Sequence, residues 1–262
     1  MPVNWFRAWR RRGLLRRERL PAGAWHIAER ALPVLKRLDA AQRGRLADLA
    51  VLFLHEKRFE AVAGAALQPD QMGSIALQAS LPLLGLRGDW YRPWTTVLVY
   101  PGGFLASREY EDEFGVVHQE DAPLIGEAWE GGPLILSLED AVDPEPGTCV
   151  VIHECAHKLD MREGAVNGLP PLPREMPVER WAAAFEGAYN ALREAEARGK
   201  EPMMDPYAAE DPGEFFAVAV ETFYADPAGL REAFPEVYGQ LRAFFAFDPL
   251  TGAEGAVISP SG

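Results

Sequence analysis

His153, Glu154 and His157 stand in the order H-E-x-x-H within Val150–Asp160, which reads V-V-I-H-E-C-A-H-K-L-D. If this stretch is helical, the two histidines lie four residues apart, on one face and about one turn from each other. Two neutral imidazoles so spaced can share one Zn²⁺ at about 2.0–2.1 Å. Glu154, next to the first ligand, can reach a zinc-bound water instead of the metal. Zinc lowers that water's pKa to about 7, and the carboxylate takes its proton as the water attacks a carbonyl carbon. Hydrolysis of a peptide bond is the leading expectation. The bland alternative is a chance match on a solvated helix. The apolar run Cys149–Ile152 argues against it, as do Cys155, Ala156 and Leu159 further along. Polar groups on a mostly buried helix need partners, and a metal supplies one.

A catalytic zinc usually takes three protein ligands. The downstream carboxylates are Asp160, Glu214 and Glu221. Asp160 is three residues past His157 and can orient a histidine ring from behind. Glu214 and Glu221 are seven apart and share a helix face. Periodicity alone leaves Glu214 open between ligand and cap, because Asp211-x-x-Glu214 is also a helix-start signature. Glu221, embedded in Ala217–Val220, is partly buried and needs a partner of its own.

The elements that must hold these residues follow from pattern and punctuation. Helices are predicted over 5–20, 24–37 and 40–56, and buried helix over 60–86. Residues 94–100 read as a strand, 108–126 as a charged loop around a short strand at Val116-Val117, and 132–138 as a second strand. That second strand precedes the motif by a short loop, so it is expected to be a sheet edge able to hold an extended peptide by main-chain hydrogen bonds. An interior strand with no substrate role is the alternative. Asp143-Pro144 marks the start of the motif helix and Gly164 its end. An amphipathic helix over 178–198, another over 211–224 and a last one from Asp226, kinked at Pro235, complete the chain. The pattern predicts an α+β fold, mainly helical with a small sheet. Residues 1–20 form a basic arm, 21–250 a single domain and 251–262 a flexible tail.

The 262 residues carry a net charge of −13, yet residues 1–20 hold seven arginines against one glutamate. So acidic a body is a poor nucleic-acid binder. The arm reads either as an amphipathic helix docking Trp5, Phe6, Trp9 and Leu14, or as a contact for an acidic partner or membrane surface. No apolar stretch is long enough to span a membrane, and no secretory signal is expected. Cys149 and Cys155, the only cysteines, point to different sides of a helix, which fits a reducing cytoplasm. Cys155 reads first as a small buried hydrophobe, with metal binding or nucleophilic attack as lesser roles.

Several segments together resemble one family. They are Val151–Asp160 and Tyr207–Val218, together with Tyr100-Pro101-Gly102-Gly103-Phe104 and Gly132–Ser137. They are similar to the Mlc titration factor A family over roughly residues 10–250, a combination far more specific than H-E-x-x-H. The resemblance implies a bacterial cytoplasmic, aminopeptidase-like zinc metallopeptidase, gluzincin in type. It implies a zincin-like fold related to the catalytic domain of anthrax lethal factor. Position by position it makes His153, His157 and Glu214 the metal ligands, Glu154 the general base and Tyr207 the donor to the oxyanion. It also implies a second role, because some members bind the glucose repressor Mlc and so modulate the glucose phosphotransferase system. Gly213 departs from the family's pattern, and residues 1–20 are its least family-like part. Two expectations follow, a peptidase acting on a peptide substrate and a regulator that binds a transcriptional repressor. A cysteine peptidase is a distant third.

Overall fold

The computed structural model describes residues 3–86, 88–111, 117–124, 126–128, 132–164, 166–200 and 204–254. Helix α1 (Val3–Arg17) is followed by α2 (Ala24–Ala31), a 3-10 turn over Pro33–Arg37, and α3 (Ala40–Glu56). The helix expected over 24–37 is therefore broken. Pro33 lacks an N–H, and Leu32 before it is pushed out of the helical region (φ −135°, ψ 87°). Asp39 and Gln42 cap α3 reciprocally, each side chain receiving the other's backbone N–H.

The buried helix expected over 60–86 divides as well. Strand β1 (Arg58–Ala61) takes its beginning, and α4 (Pro69–Ser80) the rest, ending in a 3-10 turn over Leu81–Leu83. Left-handed Ala63 and Gly64 turn the chain between them. A short, charged strand such as β1 has no apolar signature. What stabilises it is parallel pairing with β2 (Thr96–Tyr100), a partner far along the chain.

Strands β3 (Phe104–Glu111) and β4 (Val117–Leu124) form an antiparallel hairpin where a charged loop was expected. Its sequence lacks the apolar alternation that marks a strand packed on a core. Val117 is in β4, and Val116 lies outside the described residues. Strand β5 (Gly126–Ala128) is antiparallel to β6 (Leu134–Ser137), which is parallel to β2. The main sheet runs β1-β2-β6-β5. The strand expected at the edge, β6, is thus interior and buried along its length. Its main-chain groups face β2 on one side and β5 on the other, so β5 takes the edge.

Helix α5 (Leu138–Val142) follows, and α6 (Val150–Asp160) carries the motif. The start expected at Asp143-Pro144 is six residues early. Gly147 is left-handed (φ 90°), and it turns the Pro-rich stretch before Cys149 begins the helix. A 3-10 turn over Met161–Glu163 and Gly164 (φ 121°) end it. Helix α7 (Val178–Ala197), a 3-10 turn over Pro206–Ala209, and helices α8 (Pro212–Ala225), α9 (Pro227–Ala233) and α10 (Pro235–Phe244) follow. Pro235 opens a separate helix where a kink was expected, because Phe234 before it is pushed out of the helical region (φ −137°, ψ 71°). Strands β7 (Phe247–Asp248) and β8 (Ala253–Glu254) pair, so the start of the expected tail is ordered. Gln42 Nε2 holds it through Gly252 O at 2.7 Å. Residues 255–262 of that tail lie outside the described residues.

The core centres on α8. Phe215, Phe216, Ala217, Val218, Ala219, Val220, Phe223 and Tyr224 are all buried, so this helix is apolar almost all round. Phe216 and Phe185 meet Trp181, which stacks on Phe185 at 4.3 Å between centroids. On its other side α8 packs against α6, and β5 and β6 lie on α6 as well. Each large side chain buried there contributes about 1.5–3 kcal/mol, and this holds the two site helices side by side. Among the described residues no helix is long and apolar enough to cross a membrane.

Candidate metal centre

Helix α6 presents His153 and His157 on one face, as their spacing requires, with ring centroids 5.0 Å apart. Helix α8 presents Glu214 to the same point. Its first turn is capped by Asp211, whose Oδ1 accepts from the N–H groups of Gly213 (2.7 Å) and Glu214 (3.0 Å). The cap is therefore Asp211's work. The Glu214 carboxylate faces the histidines, with Oε2 3.3 Å from His153 Nε2 and 3.3 Å from His157 Nε2. The two Nε2 atoms are 3.2 Å apart.

Three lone-pair atoms at the corners of a nearly equilateral triangle make a poor hydrogen-bonded set, and Glu214 Oε2 is buried without a well-aligned donor. They suit a cation. An ion about 2.0–2.1 Å from each corner would see angles of about 105° between them, close to tetrahedral. Two nitrogens and one carboxylate oxygen match the catalytic pattern of three protein ligands, with a fourth direction left for water or substrate. Among the described residues these three are the ones grouped as a potential metal site.

Electrostatics agree. Burial works against a proton on His153, but the carboxylates of Glu214 and Glu221 outweigh it and lift its pKa well above the usual range. Burial pushes Glu214 upward, and the two histidines 3.3 Å away more than reverse this, holding its carboxyl at about 2. Without metal, a proton on His153 is the cation that balances these acids.

Glu221, seven residues beyond Glu214 on the same face of α8, reaches behind the cluster. Its Oε2 is 3.2 Å from His153 Nδ1, and its Oε1 accepts the Cys149 N–H at 2.5 Å. Sequence required only that it have a partner; it has two. Asp160 lies near enough to His157 to feel its charge, and it holds the chain beyond α6 as well. Its carboxylate accepts the N–H groups of Asn167 (2.9 Å) and Gly168 (2.7 Å) and so fastens the loop after α6. That loop lies against the first turn of α8 with no room for a methyl group. A Cβ on Gly168 (φ 76°) would fall 2.5 Å from Pro212 O, and one on Gly213 would fall 2.4 Å from Val166 Cγ1. The departure at Gly213 is therefore a close-approach position.

Glu154 is 3% exposed and close enough to His153 to raise its pKa. Tyr207, half-buried on the 3-10 turn before α8, puts its ring 6.4 Å from that of His153. The structure thus brings together His153, His157, Glu214 and Glu221, sets Tyr207 beside them, and keeps Asp160 within electrostatic reach of His157. Both thiols are buried and unbridged. Burial pushes Cys155 up to about 12 and Cys149 higher still, so neither supplies a thiolate. Sequence reasoning missed Lys158, a buried cation whose Nζ donates to Gly132 O at 3.0 Å and ties α6 to the chain entering β6. A lysine one residue past His157 on a buried helix was the available signal.

Residues 6–246 match the family described as Glucose-regulated metallo-peptidase M90. Mlc titration factor A of Yersinia pestis (strain Pestoides F) is 37% identical over 232 residues, which covers 86% of this chain and 85% of that protein. The protein of the same name from Yersinia pseudotuberculosis serotype O:1b (strain IP 31758) is similar to the same extent, 37% over 232 residues.

Proposed function

We propose that this chain, which belongs to the glucose-regulated metallo-peptidase M90 family, is a zinc-dependent, aminopeptidase-like enzyme of the gluzincin type. The convergence of His153, His157 and Glu214 at 3.2–3.3 Å carries this reading. These three would hold the ion, which when bound supplies Lewis acidity, activating water and polarising the scissile carbonyl. Glu154 takes the proton from the attacking water and passes it to the leaving amine. Its burial beside His153 keeps that transfer out of bulk solvent. Tyr207 donates its hydroxyl hydrogen to the oxygen that gains charge as the carbonyl carbon becomes tetrahedral. Glu221 steadies His153 from behind.

Edge strand β5, next to α6, offers main-chain groups to an extended peptide, the role first expected of β6. Glu154→Gln tests the reading: metal content should stay at one ion per chain, while peptide hydrolysis falls about 10²- to 10⁴-fold. Hydrolysis at the wild-type rate in that variant would refute it. A second reading rests on the relatives' name. We infer that the chain also binds a transcriptional repressor of the Mlc kind, in the cytoplasm. That binding should survive Glu154→Gln, since it needs no turnover.

A further inference from the structure

The arginines of the first helix find no part in the chemistry above. Arg10, Arg11 and Arg17 border a groove of about 660 Å³ between α1, the end of α3 and the chain entering β2. Five cations line it against two carboxylates, in a protein whose net charge is −13. Arg10 and Arg17 are seven apart on α1 and share its groove face, with Leu14 between them. Arg92 stands on the opposite wall. None of these three has an ion-pair partner among the described residues. Lys57 lies deeper, 7% exposed, its ammonium donating to the carbonyls of Tyr91 and Trp94 and standing 3.8 Å over the Trp94 ring. Leu14 and Leu52 add an apolar surface.

The helix is not loosely laid on. Arg11 reaches across to Glu56 (2.9 Å) and Asp89 (2.8 Å), two carboxylates on separate segments of the body. Satisfied there, Arg11 is a strut that fixes α1 and so aims its neighbours. Arg10 and Arg17 are thereby held ready over the groove. Their planar forks match the oxygens of a phosphate in pairs. The volume lies within the ordinary range for small-molecule sites, about 300–1,000 Å³.

We propose that this groove is a binding site for a small organic phosphate. The phosphate dianion would lie among Arg10, Arg17 and Arg92, and the carbon part against Leu14 and Leu52. The site shares no residue with the metal cluster.

Calorimetric titration of metal-loaded protein with phenyl phosphate and with inorganic phosphate tests this. Phenyl phosphate should bind saturably, one per chain, and more tightly than inorganic phosphate. Arg17→Glu and Arg92→Glu should each weaken it at least tenfold. Arg92 lies outside α1, so its variant stands even if α1 is disturbed in the other. Arg16→Glu, an equal change of charge at an exposed position off the groove, should change affinity less than twofold. No saturable heat, an equal loss in Arg16→Glu, or equal affinity for the two phosphates would each overturn the proposal. So would binding abolished by Glu214→Ala but untouched by Arg17→Glu, which would place the phosphate on the metal.

Discussion

Replacing Glu221 by Gln changes two atoms and puts the tautomer of His153 at stake. The carboxylate accepts two hydrogen bonds, one from the Cys149 N–H at 2.5 Å and one from His153 Nδ1 at 3.2 Å. An amide has one oxygen. If that oxygen stays on Cys149, the NH₂ group faces Nδ1, which must then accept, and the ring proton moves to Nε2. Nε2 is the atom 3.3 Å from Glu214 and 3.2 Å from the other histidine, so a proton there closes the metal face. If the oxygen turns to Nδ1 instead, the NH₂ group opposes the Cys149 N–H, and the start of α6 loses its acceptor. Either way one charge-assisted hydrogen bond of about 1.5–3 kcal/mol is lost, or roughly 10- to 150-fold in metal affinity. Loss of a carboxylate behind a ligating histidine typically costs a similar 10–100-fold. Competition for zinc against a chromophoric chelator at neutral pH reads this directly, with no need for substrate. Glu221→Asp should recover part of the loss. A Gln variant that binds zinc within twofold of wild type would refute the argument.

The metal-free protein should also have a pH signature. His153 is raised above its ordinary 6.5, so its contribution to stability is complete below about that pH and lost as pH rises through its folded value. Glu214 is lowered, so its contribution is present above 4.5 and lost as pH falls through about 2. Chelator-treated protein should therefore melt at progressively lower temperature as pH rises above 6.5, while zinc affinity climbs as the competing proton leaves. A melting temperature of the apo form that increases with pH there would contradict this assignment. Tyr207→Phe should leave zinc affinity unchanged and lower kcat about 10²- to 10³-fold with little change in KM, by steady-state kinetics. An unchanged kcat would remove Tyr207 from the reaction.

The face of α6 that carries His153 and His157 was legible because four-residue spacing puts both on one side of a helix. The third corner was not. Asp211 and Glu214 satisfy a helix-start pattern and a ligand pattern together, and only the direction of each side chain separates them. The position of Asp160, three residues past His157, was legible, but its bonds to the Asn167 and Gly168 amides were not, because periodicity says nothing of how a loop returns. The long helices were visible from their apolar stripes, as Trp181, Phe185 and Leu192 illustrate for α7, whereas the cap of α3 by Asp39 and Gln42 emerged only in the structure. Strand β1 was not, since four residues with two charges become a strand only through a neighbour more than thirty positions away. The interior position of β6 depended likewise on β5, three residues long and without a pattern of its own.

The glycine seam at residues 168 and 213 has a consequence for how this centre can change. At Gly168 the span from the histidine helix to the carboxylate is set where main chain presses on the Pro212 carbonyl, with no rotamer available to take up slack, while at Gly213 the neighbour is the Val166 side chain. Sequence drift elsewhere can remodel the exterior widely, but the gauge of the cage stays as it is. Refitting it for calcium, whose bonds run about 2.3–2.6 Å and whose shell needs six to eight oxygens, would therefore mean lengthening the loop after α6. Exchanging the ligands alone would leave the larger ion in an aperture cut for a smaller one.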